Sequence, residues 1–524
     1  NCMEPLAHEG LGRLLELHGK RTPLALGAEA GAKLLSEKAL GDGGALKLGR
    51  RKLALPPQPL GRDTAQPPFL TLSDDVAVLD GAASHDPRQL LTALAAAREE
   101  AGWRRLLYTP AVEPAEMPLL AYLGVDLFDS LTAELRGVAG FRLEQGDWIP
   151  DAKATAAGNR KALTGWLARI RSALEQGRLR ELVERTALHN PRVAQLLHHS
   201  RELLATRGAR RAVEIRAGAL SLGHPAVTEW RHNLERFTPP AAGMVLLLLP
   251  CSARKPYHWS ATHRRFHRTL RELDNWLALH VVSVTSPLGL VPRELEMLHP
   301  AAHYDVGVTG HWDANEHAMF GRQLERLRPE DRYKKAIVHT GSASGLLAEL
   351  LRERGVEVLE TGAERPASGA GLGALRAACR TALRGVASLS GHDRSRGEAA
   401  GLAQVQFGEL AEPLLAAAVQ GRWPRLRLEG LANFSPRIGG FALTVQGAAA
   451  LAAAGGPVVE AAEFQLRGDL FAAGVTGTRG VFRNGEQVAV EQGGEITAAG
   501  IARMAPGEMV AMERGLAVEV RNRG

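Results

Sequence analysis

Six consecutive apolar residues, Met244-Val-Leu-Leu-Leu-Leu249, stop at Pro250 and are followed directly by Cys251. A run this short and unbroken lacks the alternation of a strand with one wet face. It therefore predicts a strand covered on both sides, as in a parallel sheet. From Arg264 to Leu279 apolar residues recur at Phe266, Leu270, Leu273 and Leu277, a spacing that predicts a helix packed on that sheet. The alternation continues through His280-Val-Val-Ser-Val-Thr285, Tyr304-Asp-Val-Gly-Val-Thr309, Lys335-Ala-Ile-Val-His339, a helix from Ser344 to Arg354, and Val356-Glu-Val-Leu359. This pattern predicts an open α/β parallel sheet. Ligands of such sheets gather beyond the carboxyl ends of the strands, where Cys251, Ser286 and Thr309 to Trp312 are expected.

A chain of 524 residues exceeds what one core usually organises, and its periodicities divide it into four expected domains. Residues 1–205 carry short apolar runs, Phe69-Leu-Thr-Leu and Asp75-Val-Ala-Val-Leu, alternating with helical stretches such as Gln89 to Ala101. Leu163 to Leu204 reads as mostly helical, with Leu163, Leu167, Ile170 and Leu174 at helical spacing, and is expected to bridge to the middle of the chain. Residues 206–385 form the central α/β domain. Arg207 to Arg216 adds a basic cluster, a solvated face or an RNA contact. Gly369-Ala-Gly-Leu-Gly373 reads as a linker, because no strand-to-helix context makes it a phosphate loop. Residues 386–455 form a small intermediate domain. Residues 456–524 show short strands with glycine turns, the signature of a small β-barrel.

With 45% hydrophobic and 23% charged residues the chain belongs with globular proteins. The net charge of +7 suits a polyanionic partner, since phosphates attract such a surface and release counterions on binding. Cys2, Cys251 and Cys379 are too few and too scattered for a disulfide framework, so a reducing cytoplasm is expected. No apolar run approaches the roughly 20 residues that span a bilayer, so neither membrane nor export is indicated. The chain begins at Asn1 rather than Met, so its true amino terminus is expected to differ, and nothing before residue 5 carries an argument.

The loop after the apolar run reads Pro250-Cys251-x-x-x-Lys255-Pro256-Tyr257-x-x-Ser260-x-x-His263, and at every fixed position it resembles the signature of the archaeosine synthase family. Ser286-Pro-Leu-Gly-Leu-Val-Pro-Arg-Glu-Leu-Glu296 and Tyr304-Asp305…Thr309-Gly-His-Trp312 resemble further blocks of that family in the same order. The resemblance implies addition of an amine to the nitrile of 7-cyano-7-deazaguanine in the D-loop of tRNA. It further implies free lysine as the nitrogen donor and a radical-SAM partner protein that later releases archaeosine. No cofactor of the chain's own is expected.

A nitrile carbon is a poor electrophile that benefits from temporary attachment to a soft nucleophile, and Cys251 is the candidate. Arg254, Lys255, His263 and the following helix would favour its thiolate. The alternative is a cysteine that merely fills the strand end. Lys255 also suits a phosphate or the lysine carboxylate, while Tyr257, Ser260 and His263 suit hydrogen bonding and proton transfer. Arg293, Glu294 and Asp305 suit a zwitterionic donor or a base edge, or else ordinary salt bridges, and His311 completes the expected substrate-binding set. His258, His263 and His267 are not expected to hold zinc, because Arg264, Arg265 and Arg268 crowd the same turn with positive charge.

Tyr122-Leu-Gly-Val-Asp-Leu-Phe-Asp-Ser130 and Leu179-Arg-Glu-Leu-Val-Glu184 resemble pieces of the tRNA-guanine transglycosylase barrel, which implies a shortened TIM-barrel-like amino-terminal domain. Asp126 and Asp129 are read as turn and capping residues rather than a catalytic pair. That family's zinc cysteines are missing, because Ile149 to Gly158 offers no thiolate. Leu470 to Val475 and Gly485 to Val490 resemble the RNA-binding PUA domain, with Arg479, Arg483, Arg514, Arg521 and Arg523 available to phosphates. Two other functions remain open on these residues: a base-exchanging transglycosylase, and a tRNA-presenting subunit with an inert cysteine.

Overall fold

The computed structural model describes residues 25–26, 44–48, 51–55, 69–80, 86–102, 104–201, 215–306 and 312–524. Cys2, His311 and most of the Arg207 to Arg216 cluster lie outside these residues.

In the amino-terminal part, Val76–Asp80 pairs in parallel with Leu106–Tyr108 and antiparallel with Phe69–Leu72. A bridge from Tyr108 to Leu127 continues the parallel order towards Phe128–Asp129, which pairs with Ala25–Leu26. Among the described residues this is an open sheet, and the expected shortened barrel is not seen to close. The connecting helix Pro87–Ala101 starts where Asp86 accepts the Arg88 N–H and Pro87 supplies a pre-set φ, and it buries Leu90, Leu91 and Leu94. The helices Ala156–Glu175, Leu179–Ala187 and Pro191–His199 realise the expected helical stretch. Their buried Leu163, Trp166, Ile170, Val183 and Leu196 join the same core as Val76 to Leu79, so these helices complete the amino-terminal core instead of bridging away from it.

Asp126 and Asp129 serve structure, as their turn positions suggest. Asp126 accepts from the buried Arg98 guanidinium at 3.0 Å and from the Leu107 N–H at 2.9 Å. Asp129 takes the Tyr108 hydroxyl at 2.6 Å and the N–H groups of Ala111 and Leu131. Neither carboxylate is left for a sugar.

The central sheet has five strands in the spatial order Gly289–Pro292, Leu279–Thr285, Met244–Pro250, Tyr333–Val338, Glu357–Glu360. The last four run parallel and only Gly289–Pro292 runs antiparallel. Every residue from Met244 to Leu249 is buried, as the unbroken apolar run requires. One face of this strand, Val245, Leu247 and Leu249, meets Phe266 and Leu270 of the helix Ala261–Arg271 and Leu375 and Cys379 of the helix Gly369–Ala382. The opposite face, Leu246 and Leu248, packs into a larger core with Val282, Val284, Phe320 and Leu347.

Three expectations change here. The helix expected to reach Leu279 ends at Arg271, and the later apolar positions Leu273 and Trp276 pack on the same core from a turn and a short 3-10 helix, Trp276–Ala278, before the strand starts at Leu279. Tyr304–Val306 is a strand, but it pairs in parallel with Ile215–Ala217 outside the central sheet. Gly369 to Gly373 is the first turn of a helix rather than a linker: Ser368 accepts the Gly371 N–H at 3.1 Å, and Leu375, Cys379 and Ala382 supply the buried stripe.

The segment after residue 386 contains the helix Gly391–Phe407 and a four-stranded antiparallel sheet ending at Gly440–Leu443. Its Leu402, Leu414, Phe441 and Leu451 belong to the same core as Leu246 and Leu248, so this small module is fused to the central domain. Gly397 permits the contact, since a Cβ there would fall 1.9 Å from the Pro240 carbonyl oxygen. The carboxyl-terminal part is a six-stranded sheet in the order Leu470–Phe471, Leu516–Arg523, Glu495–Ala502, Gln487–Gln492, Val458–Ala461, Val475–Arg479. No helix among the described residues is long and apolar enough to cross a membrane.

Candidate functional site

The Met244–Pro250 strand delivers Cys251 to the carboxyl edge of the sheet, where the Cys251 N–H donates to the Val284 carbonyl at 3.1 Å. The side chain is half-buried and free of any disulfide. Beside it two tyrosines share one hydroxyl chain. Tyr257 and Tyr304 are hydrogen-bonded to each other through their hydroxyls, and the Tyr304 hydroxyl also meets Thr285 Oγ1 at 2.5 Å. Burial raises both phenols well above the ordinary tyrosine range, and the charge of the neighbouring Cys251 adds to the effect. Both therefore stay protonated at neutral pH and act as hydrogen-bond donors. Lys255 joins the cluster through Tyr304, its Nζ lying 4.2 Å from the centre of that ring in a cation–π contact.

His263 lies beneath this cluster rather than in it. Its Nε2 sits 2.9 Å from the Pro250 carbonyl, its ring stacks on Tyr257 at 5.3 Å, and it is 1% exposed. The contact is satisfied by an Nε2–H donor, and burial lowers its pKa to about 4. A neutral imidazole so placed fixes the last peptide before Cys251. Ser260 is the cap of the Ala261–Arg271 helix, its Oγ accepting the His263 N–H at 3.1 Å.

The other expected residues separate. Arg254 is exposed at the rim of the loop, and Asp305 is exposed on the strand that carries Tyr304. Glu294 is sealed in the interior against His280 at 3.2 Å, with Tyr333 on the other ring nitrogen of that histidine. Burial works against its charge, yet His280 and Arg394 bring its pKa below the usual glutamate range, which makes it a structural anion. Arg293 leaves the Cys251 cluster altogether and lies over the Trp423 ring at 5.5 Å. Sequence spacing assigns no role to Thr285 or to the Tyr304 hydroxyl, although Tyr304 sits in one of the quoted blocks. It is equally silent on the pairing of His258 Nδ1 with Glu296 at 2.5 Å. No group of three His, Cys, Asp or Glu side chains positioned for a metal occurs among the described residues.

Of the five arginines noted near the carboxyl terminus, Arg479 pairs with Glu460 and Glu491, Arg483 with Glu229 and Glu486, and Arg521 with Glu519. Only Arg514 and Arg523 remain exposed with no ion pair among the described residues.

Comparison with known proteins covers nearly the whole chain. The archaeosine synthase subunit alpha of Methanosarcina acetivorans is 30% identical over 98% of this chain and 88% of its own. The chain belongs to the archaeosine synthase family. The archaeosine synthase of Haloferax volcanii is 31% identical over 80% of this chain and 76% of its own. A family profile described as a domain of unknown function, DUF5591, matches residues 227–379, which hold the central sheet and the Cys251 cluster of this family member. The PUA domain matches residues 459–523, the six-stranded sheet. A crystal structure of a protein of unknown function is 26% identical over 56% of this chain and 97% of its own, at a TM-score of 0.42.

Proposed function

We propose that the protein acts in archaeosine biosynthesis as a tRNA-modifying enzyme that adds an amine, from lysine, to the nitrile of 7-cyano-7-deazaguanine in the tRNA D-loop. The observation that carries this reading is a free, half-buried cysteine at a strand end, beside two hydroxyl-linked tyrosines of which one carries a lysine on its ring. The family membership and the PUA match support tRNA as the substrate.

In this reading the Cys251 sulfur attacks the nitrile carbon, and the nitrile nitrogen gains a proton, giving a thioimidate. A neutral amine of lysine then adds to the same carbon. The sulfur leaves as thiol, taking the proton released by the amine, and an amidine remains. The hydroxyl chain has at most one proton to direct outward, and that single donor suits stabilisation of the negative nitrogen. Lys255 suits stabilisation of the thiolate, and His263 suits positioning of the Cys251 backbone through Pro250. A partner that releases archaeosine from the lysine adduct follows from the same reading and from the name subunit alpha carried by the Methanosarcina relative.

The test is mass spectrometry of nucleosides from nitrile-bearing tRNA incubated with the protein and lysine, with Cys251→Ala alongside. A gain equal to one lysine that vanishes in Cys251→Ala is expected. A gain that persists in the variant removes the nucleophile, and an unchanged base with the wild type removes lysine transfer.

A further inference from the structure

Away from Cys251, a cavity of about 260 Å³ opens between the helices Ala261–Arg271 and Gly391–Phe407, roofed by the Arg422 to Pro424 loop. Its lining is strongly one-sided in charge. Arg264, Arg271 and Arg422 form an exposed rim, Arg293 lies deeper, and none of the four is in an ion pair among the described residues. The remaining arginine, Arg394, is neutralised by Glu398 at 2.7 Å and tied to the Leu277 and Leu279 carbonyls. Trp276 and Trp423 add aromatic walls, and Arg271 and Arg293 already lie 5.6 Å and 5.5 Å from those rings.

Two further observations indicate that this space is made for an anion with hydrogen-bonding capacity. His258 lines the cavity with Nδ1 held by Glu296, while its Nε2 is buried with no partner among the described residues. Buried polar atoms are seldom left so. His267, also in the lining, has its pKa lowered to about 3 by burial and by Arg293 and Arg271, as befits a site whose field repels another cation. Converging guanidinium groups repel each other, and they are fork-shaped donors that match phosphate oxygens in pairs. Tryptophan faces stack any base, whatever its identity.

We propose that this cavity is a second nucleic-acid site, separate from the Cys251 cluster, that holds a phosphorylated nucleotide of the tRNA strand: phosphate at the arginine rim, base against a tryptophan. The proposal rests on tRNA being the substrate, but it concerns binding and not the nitrile chemistry. The same chemistry could be met by a free nucleotide, so the test carries both.

Binding of a labelled tRNA transcript is measured across a salt series for the wild type, for Arg264→Ala with Arg422→Ala, and for Arg265→Ala with Arg268→Ala. The last pair is exposed on the same helix but outside the cavity. Removing two phosphate contacts should weaken binding at least about tenfold near 0.1 M salt and reduce the slope of log K against log salt by about 2. The control pair should change both much less. Equal loss in the control pair, or an unchanged slope in the cavity pair, overturns the site. GMP and inorganic phosphate are the competing probes. Tight GMP binding that disappears in the cavity pair while tRNA binding is unaffected overturns the assignment to the strand. A wild type that binds tRNA with this slope difference yet forms no lysine adduct keeps the cavity and removes the amine-transfer reading instead.

Discussion

Replacing His263 by glutamine separates a structural histidine from an acid–base one. The imidazole is 1% exposed, holds the Pro250 carbonyl through Nε2, and has its pKa lowered from 6.5 to about 4 chiefly by burial. A group whose folded pKa is depressed below its unfolded value costs nothing while both states are neutral, so above about pH 7 it contributes no pH dependence. As pH falls through 6.5 the unfolded chain takes up a proton that the folded chain refuses. Stability is lost progressively until about pH 4, and the drop from 6.5 to about 4 corresponds to about 3 kcal/mol. A glutamine side chain keeps an N–H donor for the carbonyl and cannot titrate. The difference in unfolding free energy between wild type and His263→Gln should therefore be flat above about pH 7 and swing by about 3 kcal/mol in favour of the variant between pH 6.5 and about 4. Because a chain of several domains does not unfold in one step, the urea transition that reports the central sheet is the one to follow. Histidine-selective NMR titration gives the pKa directly. A difference curve flat down to about pH 4, with an imidazole titrating near 6.5, would refute the argument and return His263 to proton transfer.

The remaining predictions concern neighbouring parts of the structure. Asp126→Ala leaves the Arg98 guanidinium buried without its anion and the Leu107 N–H without its acceptor, and should cost about 3–5 kcal/mol in urea unfolding of the amino-terminal part. A catalytic Asp126 would instead lose activity at unchanged stability. In a Cys2→Ser background, iodoacetamide at about pH 8 should label Cys251 and leave Cys379 unmodified in the folded protein, since burial pushes the Cys379 thiol up to about 12; mass mapping of two labelled peptides would contradict this. Tyr304→Phe removes the hydroxyl between Tyr257 and Thr285. It should lower kcat for nitrile conversion by about 10²-fold while costing about 1–3 kcal/mol of stability, and an unchanged kcat would take the tyrosine chain out of the chemistry.

Much of the central fold is legible because one physical signal dominates it. Met244 to Leu249 must be buried on both faces, and that alone demands parallel neighbours and covering helices. Periodicity is weaker where it carries no partner information. Tyr304–Val306 reads like the other strands, yet nothing local says that its ladder is made with Ile215–Ala217 and not with the central sheet. The glycines at 369–373 look like a break, but Ser368 as a cap and a downstream stripe ending at Ala382 outweigh their poor helix propensity. In the amino-terminal part the helices over 156–199 are plain from their leucine spacing, while the choice of core they join depends on contacts with Val76 to Leu79 far earlier in the chain.

The site divides along the same line. Cys251, Lys255 and Tyr257 stand together because they share one loop, and a loop at a strand end is the part of a site that sequence displays best. Their partners arrive by tertiary contact: Tyr304 lies 47 positions after Tyr257, and Thr285 lies 19 positions before Tyr304. Residue type alone does not reveal the partners of His263, Ser260 and Glu294. Each is a polar group with chemical capacity, and each has a partner in the scaffold: a strand-end carbonyl, a helix-cap N–H and a buried histidine. Burial weighs between the two uses, because a polar side chain removed from water needs a fixed partner; the equally buried Tyr257 and Tyr304 find theirs in each other and in Thr285, and the Tyr304→Phe variant tests whether a proton of that chain still reaches a substrate. The same weighing separates the two cysteines: Cys251 is only half-buried at the strand end, which is what the proposed chemistry needs, while Cys379 is sealed in the helix beneath the same sheet.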